Sequence, residues 1–296
     1  VTGPDRGGTV AWWFCRWAIL RTGGRALRIT PSRPRSIREL GEIDGLVLGG
    51  GADVAETPVP EPLPTLPREP GVRSWWRRVI SWVLAPIVFL ARWIAAARPA
   101  MPEDPARDRL ELSLLQHARE RQLPALGICR GAQLMAVASG GTLLRDVGRH
   151  FAERPDLWTV LPRRQLDVVP GSTLHGVLGR ASVFANSLHH DAVAQVAPPL
   201  RVAARENGTG VVQAIEDPQA PFWCGVQWHP EYLPQVRRHQ RLFHALVDRA
   251  RTAAQHRAER ERSIERPRAG PRPWPVEDHT RIPAAHPVQY PATCLP

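Results

Sequence analysis

Leu126-Gly127-Ile128-Cys129-Arg130-Gly131-Ala132-Gln133 is the stretch whose reading decides the fold. An apolar run, Leu123 to Ile128, leads into it, and a helix-forming run, Ala132 to Ala138, leads out. Glycines flank the cysteine on both sides. A strand that turns sharply into a helix at Cys129 would hold the thiol on a tight corner, where a helix N-terminus favours the reactive thiolate form. A lone cysteine is as readily a buried core residue, so Cys129 needs a second signal.

That signal comes one hundred residues later, in Gly225-Val226-Gln227-Trp228-His229-Pro230-Glu231. The apolar run Phe222 to Val226 reads as a strand, and Pro230 stops any ladder or helix just after His229. His229 is then expected at a strand end, with Glu231 two residues on and able to reach back to its ring. A thiol, a base and a carboxylate that orients the base are the three parts of a nucleophilic triad.

On these two motifs the chain resembles the class I glutamine amidotransferase-like family, in the γ-glutamyl-γ-aminobutyrate hydrolase branch of peptidase C26 type. The resemblance implies Cys129 as nucleophile, with His229 and Glu231 completing the triad. It covers roughly residues 3–250 apart from one insertion. Arg130, after the cysteine, resembles the hydrolase branch; leucine is more frequent there in synthetase-linked amidotransferases. Asp44-Gly45-Leu46-Val47-Leu48-Gly49-Gly50-Gly51-Ala52-Asp53 reads as a short buried strand running into a glycine turn, whose backbone N–H groups can face a developing oxyanion. The resemblance assigns oxyanion donors to Gly51 and Arg130, with Gly50 the neighbour easily confused with Gly51.

Ala185-Asn186-Ser187-Leu188-His189-His190-Asp191 resembles the family's Asn-Ser-x-His-His-Gln stretch, which implies that Asn186, Ser187 and His189 line a γ-glutamyl pocket. Asp191 stands where glutamine is usual, so the role of that side chain is in question. Gln133 lies one helical turn after Cys129, and the resemblance has it help hold the glutamyl group. The adjacent histidines are not expected to bind metal, since no carboxylate or cysteine lies at metal-site spacing. The implied reaction is acyl transfer from a small γ-glutamyl compound to water through a thioester, needing neither a metal nor an organic cofactor. Two rival readings stay open: a glutaminase supplying ammonia to a partner synthetase, and a catalytically silent membrane-surface adaptor on the same fold.

Strand-like and helical runs alternate. Val10 to Arg21 reads as a helix, Ala26 to Thr30 and Asp44 to Leu48 as strands, and Asp104 to Gln122 as a helix leading into the Leu123 to Ile128 strand. Shorter strands are expected at Trp158–Leu161, Leu166–Val169, Ser182–Ala185, Arg201–Arg205, Val211–Glu216 and Phe222–Gln227, and a closing helix from Leu233 to Ala254. The pattern predicts an α/β fold, a mainly parallel sheet flanked by helices (flavodoxin-like, as the resemblance also implies), with a helical insertion. The hydrolase domain is assigned to residues 1–56 and 99–254. Residues 57–98 form a proline-rich linker plus an apolar and basic insertion, and 255–296 an arginine- and proline-rich tail with little apolar content, expected to be disordered.

The net charge of +11 is carried by arginine alone, for there is no lysine among the 39 basic residues. Residues 73–98 hold five arginines and no acid, and 251–281 hold eight arginines against five acids. Those stretches supply eight of the eleven charges, which leaves the catalytic body mildly basic, and no nucleic-acid motif appears. The four cysteines show no disulfide-like spacing, and the chain start lacks the pattern of a signal peptide, so a cytoplasmic, reducing setting is expected. The 79–97 run approaches the length of a membrane span, but Pro86 and Arg92 interrupt it, and a single crossing would separate Gly51 from Cys129. A basic stripe beside four tryptophans and other apolar residues instead suggests a helix at 73–98 lying in a membrane interface, peripheral to the bilayer. The alternative is a flap on its own domain or a contact within a homodimer.

Overall fold

The fold is that of a computed structural model, which describes residues 1–33, 43–50, 104–147 and 159–265. The chain divides into two units, Val1–His256 and Arg257–Pro296. The first carries the sheet and the site. In chain order the elements are α1 (Thr9–Arg21), β1 (Leu46–Leu48), α2 (Pro105–Glu120), β2 (Ala125–Ile128), α3 (Arg130–Ala138), β3 (Thr142–Leu144), β4 (Thr159–Val168), α4 (Thr173–Leu178), β5 (Ser182–Ser187), β6 (Ala192–Gln195), β7 (Arg201–Glu206), β8 (Val212–Glu216), β9 (Trp223–Val226), a 3-10 turn (Pro230–Tyr232) and α5 (Arg237–Glu265).

The centre of the sheet is buried on both faces, and its alternation shows which helices cover it. In β1, Leu46 and Leu48 face α2 and α3, meeting Leu114, Leu115, Ala118, Leu134 and Met135. Val47 faces the opposite way, into a cluster with Cys15, Ala18 and Ile19 of α1 and Leu242, Phe243 and Leu246 of α5. β2 repeats this, with Ala125 on the first side and Leu126 and Ile128 on the second. Side chains of period two between two helical layers give a three-layer α/β unit.

The strand order is β1-β2-β9-β8-β7-β4-β5, with β6 joining β3 and β8 off that path. Among the described residues, β1–β2 and β2–β9 pair in parallel, while the remaining pairs are antiparallel. The α/β class holds, and the sheet is mixed within it. Parallel pairing is confined to the three strands that carry the glycine turn, Cys129 and His229. The reason lies in connection length: β7, β8 and β9 follow one another through short loops, which can only reverse the chain.

Three local expectations change. Ala26–Thr30 forms no strand, only an isolated bridge from Ile29 to Thr2 and another from Thr30 to Arg33, because Pro31 ends its ladder at once. The two strands expected at Trp158–Leu161 and Leu166–Val169 are one, β4, whose register against β5 slips between Thr159 and Arg164. Pro162 lies in that slip, where its missing N–H costs no ladder bond. The short elements β3, β6 and α4 also formed no part of the expected pattern. α4 has an ordinary start and stop: Ser172 Oγ accepts from the His175 N–H at 2.9 Å, and Gly179 closes the helix at φ 68°,.

Two glycines let α3 start directly above the sheet. A Cβ on Gly127 would come within 2.7 Å of the Gly131 carbonyl, and one on Gly131 within 2.4 Å of the Leu48 oxygen. The Gly-x-Cys-x-Gly spacing is thus a packing requirement of the corner, since the backbones touch where a methyl group would stand. Gly131→Ala should lower stability by about 1–3 kcal/mol, the usual cost of overpacking a close backbone contact. Urea unfolding checks this, with Ala132→Gly as the control for intrinsic helix preference.

Candidate active site

Cys129 occupies the corner between β2 and α3 with φ 52° and ψ −107°. A side chain at positive φ is strained, and here the surroundings impose it. The Cys129 N–H donates to Val226 O at 2.7 Å, continuing the β2–β9 ladder, while Cys129 O already accepts from Ala132 N and Gln133 N of α3. The residue completes a strand and opens a helix at once, and its side chain is driven off both.

His229 follows the end of β9 and is fixed by its backbone. Its N–H donates to Asn186 Oδ1 at 2.9 Å, and Asn186 Nδ2 donates to its carbonyl at 3.0 Å. Pro230 starts the 3-10 turn that brings Glu231 back under the ring, where His229 Nδ1–H donates to Glu231 Oε1 at 2.8 Å. The ring also shares a hydrogen bond with the Cys129 thiol. Tyr232 stacks on it with centroids 5.3 Å apart, and Phe14 of α1 meets Tyr232 edge-on at 5.4 Å. Burial works against a charge on His229, but Glu231 and Cys129 beside it outweigh that and hold its pKa well above the ordinary histidine value,. Cysteine, histidine and glutamate are thus in contact as a series.

Gly50 closes the site from β1. A Cβ there would lie 2.7 Å from His229 Cε1 and 3.6 Å from Cys129 Cβ. Gly51 lies outside the described residues. Gln133 donates from Nε2 to Asp191 O at 2.8 Å and stands 3.4 Å from Gln227 Oε1, while Gln227 Nε2 is 3.6 Å from Cys129 Sγ. Ser187 ends β5 and is buried. His189 Nδ1 lies 3.0 Å from Asp191 O; burial brings its pKa down to about 4, so its imidazole is neutral near pH 7. The carboxylate of Asp191 accepts from Arg145 at 2.6 Å and from the Asp146 N–H at 2.9 Å. Where the resembling proteins have glutamine, this chain therefore uses the position to brace the Arg145–Asp146 turn.

Several further residues hold the site in place, with Arg130 among them in an unexpected role. The Arg130 side chain turns away from the site into a buried ionic cluster, donating to Glu111 and to Asp108 of α2. Glu111 also accepts from Arg107 Nε at 2.8 Å and from Thr2 Oγ1 at 2.5 Å. Arg107 in turn donates from Nη2 to Gly49 O at 2.7 Å and Gly50 O at 3.2 Å. Burial presses the Arg107 pKa down, and Glu111 supports its charge. The periodicity held the signal for this pair: Arg107 and Glu111 occupy the stripe that continues as Leu114, Leu115 and Ala118, the buried face of α2,. Tyr232 and Gln227 had no such signal. Among the described residues no group of three or more His, Cys, Asp and Glu gathers to hold a metal ion.

Two predictions come from these charges. Glu111→Ala strands two buried guanidinium groups and should cost about 3–5 kcal/mol, measured by urea unfolding. The two histidines should shape stability against pH in opposite senses. The raised His229 pKa contributes stability that is fully present below the ordinary histidine value of 6.5 and lost as pH rises through its folded value,. The lowered His189 pKa contributes stability present above 6.5 and lost as pH falls towards about 4,. A His189→Gln variant should therefore lose less stability than the wild type between those two pH values, read from denaturant midpoints across the range.

The sequence profile of the peptidase C26 family matches residues 92–231. A γ-glutamyl-γ-aminobutyrate hydrolase of Escherichia coli O157:H7 is 39% identical over 138 residues, covering 44% of this chain and 54% of the relative. The enzyme of the same name from Escherichia coli strain K12 is 38% identical over the same length. A Rickettsia prowazekii protein named as glutamine amidotransferase-like is 30% identical over 183 residues, covering 48% of this chain and 65% of the relative. The chain spans about half the length of the first two of these relatives. Among solved structures, a candidate GMP synthase glutamine-amidotransferase-type protein of Thermoplasma acidophilum superposes with a TM-score of 0.52 at 19% identity, over 88% of this chain and 96% of that one; that likeness concerns the fold alone. With the profile running from before α2 to Glu231, and the relatives agreeing in kind, the chain belongs to the class I glutamine amidotransferase-like family of peptidase C26 type.

Proposed function

We propose that the protein hydrolyses the γ-glutamyl amide bond of a small γ-glutamyl compound, with Cys129 as nucleophile, His229 as base and Glu231 as the group that orients it. The observation that carries this reading is the contact series from Cys129 through His229 to Glu231, built on the strained corner at φ 52°. The substrate class is taken from the names of the relatives.

In this reading His229 takes the thiol proton as Cys129 attacks the γ-amide carbonyl. The carbonyl π electrons move onto oxygen, and the oxyanion meets backbone N–H groups from Arg130 and from the glycine turn at 50–51. Arg130 supplies the first amide of α3, which no helical carbonyl can reach,. Arg107 draws the Gly49 carbonyl to its own side, so the planar trans peptide sends the Gly50 N–H the other way,. Collapse of the intermediate expels the amine, which His229 protonates. Water, deprotonated by His229, then attacks the γ-glutamyl thioester and frees the thiol and glutamate. Glu231 keeps His229 in the orientation and charge state both halves require. Ser187 and His189 are the nearest candidates to line the glutamyl pocket, with Asn186 and Gln133 positioning the site's backbone.

The other cysteines give the reading a chemical contrast. Burial pushes the pKa of both Cys15 and Cys224 up, so neither is a ready nucleophile,.

The deciding experiment measures amine or ammonia release from glutamine, γ-glutamyl-γ-aminobutyrate and other γ-glutamyl amines. Cys129→Ala should abolish release, and Glu231→Gln should slow it by about 10²–10⁴-fold, in the range found when the orienting carboxylate of a triad is replaced. Wild-type silence across the panel, with Cys129 no more reactive than Cys15 or Cys224 towards iodoacetamide in peptide mapping, would overturn the proposal. Ammonia release from glutamine alone would point to the glutaminase reading instead.

A further inference from the structure

Helix α1 carries apolar side chains on two opposite faces. The inner face is accounted for: Cys15, Ala18 and Ile19 are in the core beside the central strands. The outer face holds Val10, Trp13, Trp17 and Leu20, with 43%, 56%, 44% and 44% of their surface exposed. Scattered apolar residues on a surface are ordinary. Here they are aligned, since at about 100° per residue the four fall within an arc of about 80°. Two tryptophans and a leucine in one exposed stripe of a short helix call for a partner.

Charge identifies the partner. On the same helical wheel Arg16 borders the stripe on one side and Arg21 on the other. Each lies over the nearer indole, Arg16 at 5.1 Å from the Trp13 ring and Arg21 at 4.5 Å from that of Trp17. Cation–π contact of this kind lays the arginine stem along apolar surface while its charge stays in solvent. The surrounding sequence has no counter-charge: eight arginines and no acid lie between Asp5 and Glu39. A second copy placed against this stripe would bring arginine against arginine, an arrangement that costs free energy. A surface of phosphate headgroups over acyl chains matches both the stripe and its borders, with indole rings at headgroup depth.

We propose that the outer face of α1 docks the protein onto an anionic lipid bilayer, with the helix lying in the plane of the surface. Its 13 residues extend about 20 Å, short of the roughly 30 Å of a bilayer core,. Among the described residues no helix is long and apolar enough to cross a membrane. The segment at 73–98, for which the sequence suggested an interfacial helix, lies outside the described residues, so the proposal rests on α1 alone.

The test is co-sedimentation of the full chain with vesicles of phosphatidylcholine and with vesicles that also contain phosphatidylglycerol. The wild type should pellet with the anionic vesicles, much less with the neutral ones, and less as salt is raised. The exposed double variant Trp13→Ser/Trp17→Ser should bind anionic vesicles at least about tenfold more weakly. Arg16→Gln/Arg21→Gln should narrow the difference between the two lipid compositions. Circular dichroism and amide-hydrolysis assays, which neither pair should alter, establish that the variants are folded. Three outcomes would overturn the proposal. The wild type stays in the supernatant; the tryptophan variant binds as tightly as the wild type, which assigns lipid binding to another segment; or that variant turns a dimer into a monomer in analytical ultracentrifugation, which assigns the face to a second copy.

Discussion

Glu111 is a carboxylate with no exposed surface that joins four parts of the chain. One oxygen accepts from Thr2 and Arg107, the other from Arg130. Through Arg107 the same charge reaches the carbonyls of Gly49 and Gly50. The chain's first residues, the glycine turn, α2 and the first turn of α3 are thereby referred to one point. A buried carboxylate between two guanidinium groups is a poor source of net stability, because desolvation offsets most of the attraction. Its value is geometric. Each partner left alone would be a buried charge, so arrangements in which the turn drifts from the corner are strongly disfavoured. The distance from Gly50 to Cys129 and His229 is a property of this cluster as much as of the sheet.

Local constraints were legible in the sequence, and long-range ones such as this cluster were not. The corner at Cys129 could be read because its glycines answer a local need: backbone contacts between Gly127, Gly131 and Leu48 leave no room for a methyl group. His229 and Glu231 were legible because Pro230 forces the chain to turn between them. Arg130 was visible as a residue but not as a side chain, since its partners, Asp108 and Glu111, lie about twenty positions away on another helix. Tyr232 could not have been found at all. Its stacking on His229 depends on α1 pressing Phe14 against it from more than two hundred residues earlier. Asp191 shows the opposite failure. Its sequence context suggested a change in the glutamyl pocket, whereas its carboxylate binds Arg145 and the Asp146 amide.

Sheet topology follows the same division. Alternating burial in β1 and β2 declared strands covered on both sides, and so the layered class. It could not declare the direction of β8 and β7, which depends on loops of a few residues reversing the chain rather than on any pattern within the strands. The parallel part of the sheet is nonetheless the part that matters for chemistry. β1, β2 and β9 run side by side, so the glycine turn, Cys129 and His229 all emerge from the same end, the usual place for a site in such a fold.

α1 connects this site to the surface. Its inner face ends in Phe14, two ring contacts from His229, at 5.4 Å and 5.3 Å. Its outer face is the tryptophan stripe, and a helix with its side chains is only about 10 Å across. A lipid surface docked on that stripe would stand within roughly a Debye length or two of the imidazole, with low-dielectric protein rather than electrolyte between them. Its negative potential would act in the same direction as Glu231, favouring the protonated ring. The imidazolium would then gain support from two sides, from a carboxylate at 2.8 Å and from a more distant sheet of phosphates. Of these only the second depends on where the protein is, which makes α1 the one element through which location could act on the chemistry.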